Sequence, residues 1–220
     1  MRTLKNTILT YLLSKHTALM ATFVMICFTA NSQAPDFVGI ITYKSDYRLN
    51  MDDAKINQMK QAFGDTLRIY YDGNNYKQHY RNSGWLQEVT YLGEKNKYYM
   101  VFSKFDTTYT ADCSRPDDNY VAIVDFNDQR QICGHVCYKL IMQGENVKKT
   151  YFFTPDLPLR QADYSRHKMG GYDQYMKNAQ AAYLYLRVET QSGIQEYTAV
   201  KIEPKQLPGK VFELLPIPVK

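Results

Sequence analysis

Cysteine and histidine come closest together in the run Cys133-Gly134-His135-Val136-Cys137. On an extended strand residues two apart share a face, so the spacing predicts that Cys133, His135 and Cys137 line up. Thiolate and imidazole are zinc ligands. Neighbours two apart on a strand are, however, about 6.6 Å from one another, too far for three of them to meet one ion at about 2.0–2.3 Å. No metal centre is expected. The same run could offer a thiol nucleophile with His135 as its base, His79 and His167 being the other histidines beyond residue 32. A third member and oxyanion donors are missing from it, and the chain has no G-x-S-x-G, H-E-x-x-H, P-loop or G-x-G-x-x-G motif. Asp52-Asp53 reads as a helix cap and Asp117-Asp118 as a loop, neither with the oxygen-ligand spacing of a calcium site. No catalytic residue and no cofactor is expected; a thiol or hydrolytic enzyme stands as the third reading of function.

The chemistry open to those cysteines depends on compartment. The first 32 residues carry Arg2, Lys5 and Lys15, no acidic residue, an apolar run from Thr17 to Ala30, and small residues at Ala30-Asn31-Ser32. These are the parts of a secretory signal peptide, with cleavage expected after Ser32. The apolar run is shorter than the about 20 residues that span a bilayer, so no transmembrane segment is expected to remain. Cys27 lies inside the apolar run, behind Ile26, which argues against lipidation. Of 27 basic and 22 acidic residues, the three basic ones of the leader are lost, leaving 24 against 22. That near-balance, without a basic cluster, excludes nucleic acid as a partner. An exported chain meets oxidising conditions, where disulfides form. Cys113, Cys133 and Cys137 are an odd set, and one bridge from Cys113 to Cys133 or Cys137, with one free thiol, is expected.

Residues 33–220 contain no repeat, linker or low-complexity tract and are expected to form a single antiparallel β domain. Tyrosine, at 20 residues, favours strands. Strand runs separated by turn residues follow in hairpin order: Phe37–Tyr43, then Thr66–Tyr71 and Tyr76–Arg81, then Leu86–Leu92 and Lys97–Ser103. Tyr120–Phe126, Gly134–Met142, Val147–Thr154, Tyr183–Thr190 and Ile194–Glu203 continue the pattern. Ile56, Met59 and Phe63 recur at helical spacing between Asp52 and Phe63, with Gly64 to end the helix. A second helix is predicted over Tyr172–Ala182. Tyr98, Met100 and Phe102 share one strand face; so do Val136, Tyr138, Leu140 and Met142, and Tyr120, Ala122, Val124 and Phe126. The fold class is therefore mainly β (α+β): a curved antiparallel sheet or half-open barrel with one or two short helices, dry on one side.

The G-I-I-T-Y strand, the helix, the tyrosine-rich meander, Gly134-His135-Val136-Cys137-Tyr138-Lys139, Tyr151–Leu159 (YFFTPDLPL) and Lys201–Pro216 (KIEPKQLPGKVFELLP) occur in that order. Together they resemble an uncharacterised family of secreted bacterial envelope proteins whose fold is similar to that of the LolA-like lipoprotein carriers. Leu207-Pro208-Gly209 gives a weaker likeness to the secreted GLPGLI family. The envelope-family resemblance implies a half-barrel that closes over helices around an apolar cavity. Its lining is expected from Tyr98, Met100, Phe102, Val136, Tyr138, Leu140 and Met142 on the sheet, Ile56, Met59 and Phe63 on the helix, and the lone Trp85 at the mouth. The function this implies is an exported, non-catalytic protein, soluble in the periplasm or outside the cell, that binds a lipid, acyl chain or other apolar small molecule. The alternative is a structural module that binds another envelope protein.

Overall fold

Alternating strands and tight turns build one long antiparallel sheet. The protein was analysed as a computed structural model that describes residues 35–49, 53–103, 105 and 108–214; apart from Pro35 these lie in one unit that starts at Asp36. The signal-peptide expectation and Asp52 fall outside the described residues. The strands are β1 (Gly39–Leu49), β2 (Thr66–Asp72), β3 (Asn75–Arg81), β4 (Leu86–Leu92), β5 (Lys97–Phe102) and β6 (Thr108–Asp112). After them come β7 (Val121–Ile132), β8 (His135–Gln143), β9 (Val147–Pro158), β10 (Ala181–Thr190) and β11 (Gly193–Pro204). Helix α1 (Asp53–Phe63) follows β1; α2 (Gln161–Tyr164) and α3 (Tyr172–Ala179) lie between β9 and β10.

The eleven strands are ordered β6-β5-β4-β3-β2-β1-β11-β10-β9-β8-β7. Two meanders thus run outward from a central seam where β1 pairs antiparallel with β11. The sheet has to curl. Ten gaps of about 4.8 Å would hold β6 and β7 about 48 Å apart in a flat sheet, whereas the link between Asp112 and Val121 reaches at most about 30 Å. The fold is the expected one, mainly β with an open, curved antiparallel sheet and few short helices.

Register explains what fills the concave side. Tyr71, Tyr76, Tyr91 and Tyr98 are direct cross-strand partners from β2 to β5. Four phenol rings therefore stand in one row across the sheet, at the separation where cross-strand side chains pack. Tyr76 and Tyr91 stack with centroids 5.2 Å apart. Over the row lies the segment from α2 to α3, bringing Tyr164, His167, Tyr172 and Tyr175. Gly171, at φ 67°, lets this segment turn into α3; a Cβ there would run into the Tyr120 ring and the end of Met142.

Four local features differ from expectation. Thr108–Asp112 is a strand outside the expected runs; being an edge strand, it has little apolar signal. The strand expected to end at Phe126 continues to Ile132 through a bulge, where the Asp125 carboxylate accepts the Asn127 and Asp128 amides at 3.0 and 3.4 Å. Cys133 and Gly134 form a left-handed turn with φ of 51° and 84°, so β8 starts at His135 and Cys133 does not share the strand face of Cys137. The second helix ends at Ala179, because Gln180 is left-handed and Ala181 already pairs with Pro158.

Candidate functional site

The tyrosine row and its covering segment make a buried polar knot. His167 is fully buried, stacked on Tyr91 at 4.4 Å between centroids. Its Nε2 lies 2.8 Å from the Tyr76 hydroxyl and 2.9 Å from that of Tyr98, and the two hydroxyls are 2.5 Å apart. Further bonds hold the segment in place. Tyr164 donates to the Gly73 carbonyl (2.8 Å), Arg166 Nη2 to the Gly93 carbonyl (2.8 Å), and Asn96 Nδ2 to the Arg166 carbonyl (3.0 Å). Tyr91 in turn donates to Asn96 Oδ1 at 2.9 Å. Burial pushes the His167 imidazole down to about 3 and holds the phenols of Tyr76 and Tyr98 well above their usual range. At neutral pH all three groups are uncharged, and the knot ties the α2–α3 segment to β3, β4 and β5.

Two spaces among the described residues border this side of the sheet. One is a cavity of about 160 Å³ beneath Met169 and Gly170, bordered by Ile69, Tyr71, Tyr76, Gln78, Tyr98, Lys149, Tyr151, Tyr172, Tyr183 and Leu186. The other is an open groove of about 270 Å³, lined by Trp85, Met100, Phe102, Phe105 and Tyr109. Tyr98, Met100 and Phe102 alternate along β5, so cavity and groove lie on the same sheet face. In the groove, the Trp85 and Phe102 centroids are 5.1 Å apart and those of Phe102 and Tyr109 5.4 Å. Trp85, Phe105 and Tyr109 are 41 %, 49 % and 45 % exposed. So large an aromatic cluster left open to water is costly in isolation, which makes the groove a candidate contact site.

The eleven residues expected to line a single cavity are thus distributed. Tyr98 borders the small cavity; Trp85, Met100 and Phe102 form the groove. Phe63 packs edge-on against Trp85 at 5.5 Å and braces it. Ile56 and Met59 are half-buried on α1, which packs on β1 and β4 and borders neither space. Leu140 and Met142 are fully buried in solid core, Tyr138 is wedged between Phe126 and Phe153, and Val136 is 47 % exposed. Because tyrosine rings and the α2–α3 segment fill the middle of the half-barrel, no single wide apolar cavity exists among the described residues. Phe105 and Tyr109 were missed, since both stand at or just before an edge strand without clear alternation.

The disulfide expectation is also corrected: Cys113, Cys133 and Cys137 are all free thiols. Cys113 is buried at the end of β6, where its carbonyl accepts the amides of Lys168 and Met169 at 2.7 and 3.3 Å. Cys133 sits at the β7–β8 tip with Sγ 3.2 Å from the Ala199 carbonyl, and Cys137 is buried on β8. Burial pushes the thiols of Cys113 and Cys137 up to about 11, which makes them poor nucleophiles. His135 pairs with Asp156 at 2.7 Å instead of serving a thiol. Among the described residues no group of three His, Cys, Asp or Glu is placed to hold a metal ion, and no helix is long and apolar enough to cross a membrane.

A curved antiparallel sheet with a packed tyrosine interior and an aromatic groove at one end is thus the class that fold and site define. No family model and no curated protein matches the chain. Among solved structures it is similar to PNGF-II (TM-score 0.47, 9 % identity), covering 80 % of this chain but only 29 % of PNGF-II. It is similar to an uncharacterised conserved protein from Thermus thermophilus (TM-score 0.46, 7 % identity, 81 % of this chain and 86 % of that one). It is similar also to a LolA superfamily protein from Nitrosomonas europaea (TM-score 0.37, 11 % identity, 83 % and 92 %). The fold class rests on the strand order itself.

Proposed function

We propose that this is an exported, non-catalytic binding protein that takes a single apolar chain, such as an acyl or alkyl chain, in the groove of Trp85, Met100, Phe102, Phe105 and Tyr109. The observation that carries this reading is the groove's lining: five large apolar or aromatic side chains, three of them more than 40 % exposed, around about 270 Å³. That is close to the lower end of small-molecule pockets, about 300 Å³, and it suits one chain, not a multi-chain lipid. Burying six to eight methylenes at about 0.8 kcal/mol each corresponds to dissociation constants of about 20–300 µM. Trp85 is the sole tryptophan, so its emission reports the groove alone. Decanol is expected to shift Trp85 emission saturably, butanol at equal concentration far less, and Phe102→Asp is expected to abolish the response while the far-UV spectrum stays unchanged. An unresponsive wild type, or a Phe102→Asp variant that binds decanol as before, overturns the assignment.

Export rests on the basic, apolar and small-residue segments of residues 1–32. The exported protein is expected to begin at Gln33. N-terminal sequencing from the expressing cell checks this, and a chain that still begins at Met1 overturns it.

A further inference from the structure

The small cavity differs from the groove in kind. Its wall includes Lys149 and the tyrosines Tyr151, Tyr172 and Tyr183. Tyr151 and Tyr183 are almost completely buried. Their hydroxyls are not among the buried side-chain atoms that lack a partner. Lys149 donates to the Gly170 carbonyl at 2.7 Å, and its ammonium lies 4.5 Å over the Tyr120 ring. It has no carboxylate within ion-pair distance among the described residues. The nearby Asp117 and Asp118 do not line the cavity and are turned to backbone amides: Asp117 accepts from Gly170 at 2.7 Å, Asp118 from Glu145 at 3.0 Å.

Lys149 is half-buried, and Asp117 and Asp118 are near enough to favour its charged form without forming an ion pair with it. A wall of one ammonium and three tyrosines suits an occupant that supplies hydrogen-bond acceptors and negative charge, since charge-assisted hydrogen bonds are the stronger kind. The rest of the wall, Ile69 and Leu186 among it, is apolar and suits a short alkyl tail. Size limits that tail. An apolar cavity of about 150 Å³ accommodates benzene, with its six heavy atoms, and this one measures about 160 Å³.

We propose that this cavity is a binding site for a small monocarboxylate of about the size of butyrate, its carboxylate held by Lys149 and the tyrosine hydroxyls and its tail against Ile69 and Leu186. The site is independent of the groove and of the chain-binding function proposed for it. The experiment is calorimetric titration of the full mature chain with sodium butyrate at constant ionic strength in chloride, with butyramide as the neutral isostere. Butyrate is expected to bind saturably at one site and butyramide at least tenfold more weakly. Lys149→Met is expected to weaken butyrate at least tenfold, and Tyr172→Phe, which keeps the ring, several-fold. Phe102→Asp, which destroys the groove, should leave butyrate binding intact. Should Lys149→Met fail to fold, Tyr172→Phe and Tyr183→Phe decide. No butyrate heat in the wild type, equal affinity for butyramide, or unchanged affinity in the folded variants overturns the proposal; the first of these would mean that the cavity holds water only.

Discussion

Acidification from pH 7 to pH 4 is expected to remove about 3 kcal/mol of stability through His167 alone. The imidazole is fully buried, stacked on Tyr91 and Tyr76 and bonded through Nε2 to two phenols, while its Nδ1 has no hydrogen-bond partner. A second ring proton would place a charge, and an N–H without an acceptor, in a dry pocket. Burial accordingly depresses the folded-state value to about 3, against about 6.5 in the unfolded chain. Above pH 6.5 neither state is protonated and the stability is at its full value. Between pH 6.5 and about 3 the unfolded chain binds a proton that the folded one refuses, so stability falls by about 1.4 kcal/mol per pH unit. Urea midpoints measured between pH 7 and pH 4.5 check this. His79 is depressed in the same direction by its own burial, so the difference between the wild type and His167→Gln isolates the His167 share. The variant is expected to be weaker at pH 7 but to have a flatter acid limb. Parallel pH profiles would show that His167 does not titrate in this way.

The second large effect is expected at Tyr91. This ring stacks on Tyr76 and His167, meets Tyr98 edge-on, and donates to Asn96, which in turn holds the Arg166 carbonyl. Tyr91→Ala removes the support on which the α2–α3 segment rests and is expected to cost about 3–5 kcal/mol. Tyr91→Phe removes one hydrogen bond from a ring that stays in place and is expected to cost about 1 kcal/mol. Denaturant unfolding of the two variants measures both. A loss below about 1.5 kcal/mol in Tyr91→Ala would show that the interior can collapse around the gap, and that the concave side is looser than the stacked rings imply.

Much of the sheet was legible because its strands alternate and its turns carry Gly, Asn and Asp. Leu67, Ile69 and Tyr71 alternate cleanly with less buried neighbours along β2, and Asp72-Gly73-Asn74-Asn75 reads as a hairpin turn. The edge strand Thr108–Asp112 was not legible, since half of its surroundings are solvent and burial leaves no mark on it. The site was half legible. Trp85, Met100 and Phe102 stood out by type and alternation, yet nothing in the sequence separates them from Leu140 and Met142, which obey the same alternation and end in solid core. What separates them is coverage: the α2–α3 segment lies over one end of the trough and leaves the other open. His167 read only as one of several histidines. Its partners come from β3, β4 and β5, and a contact across some seventy to ninety residues leaves no local pattern. The cysteines misled because count and compartment favour a bridge, whereas the fold sends Cys113 to the end of β6 and Cys133 to the tip of the β7–β8 hairpin.

The seam between β1 and β11 governs when this chain can finish folding. Each meander closes by hairpins between neighbours, and either can begin as soon as its residues exist. The two halves meet at a ladder in which Gly39 pairs with Pro204 and Leu49 with Gly193, so the first strand waits for the last. Pairings this distant raise contact order and place folding on the slow, millisecond-to-second side of small domains. Until β11 arrives, β1 and β10 are bare edges open to mispairing with other chains.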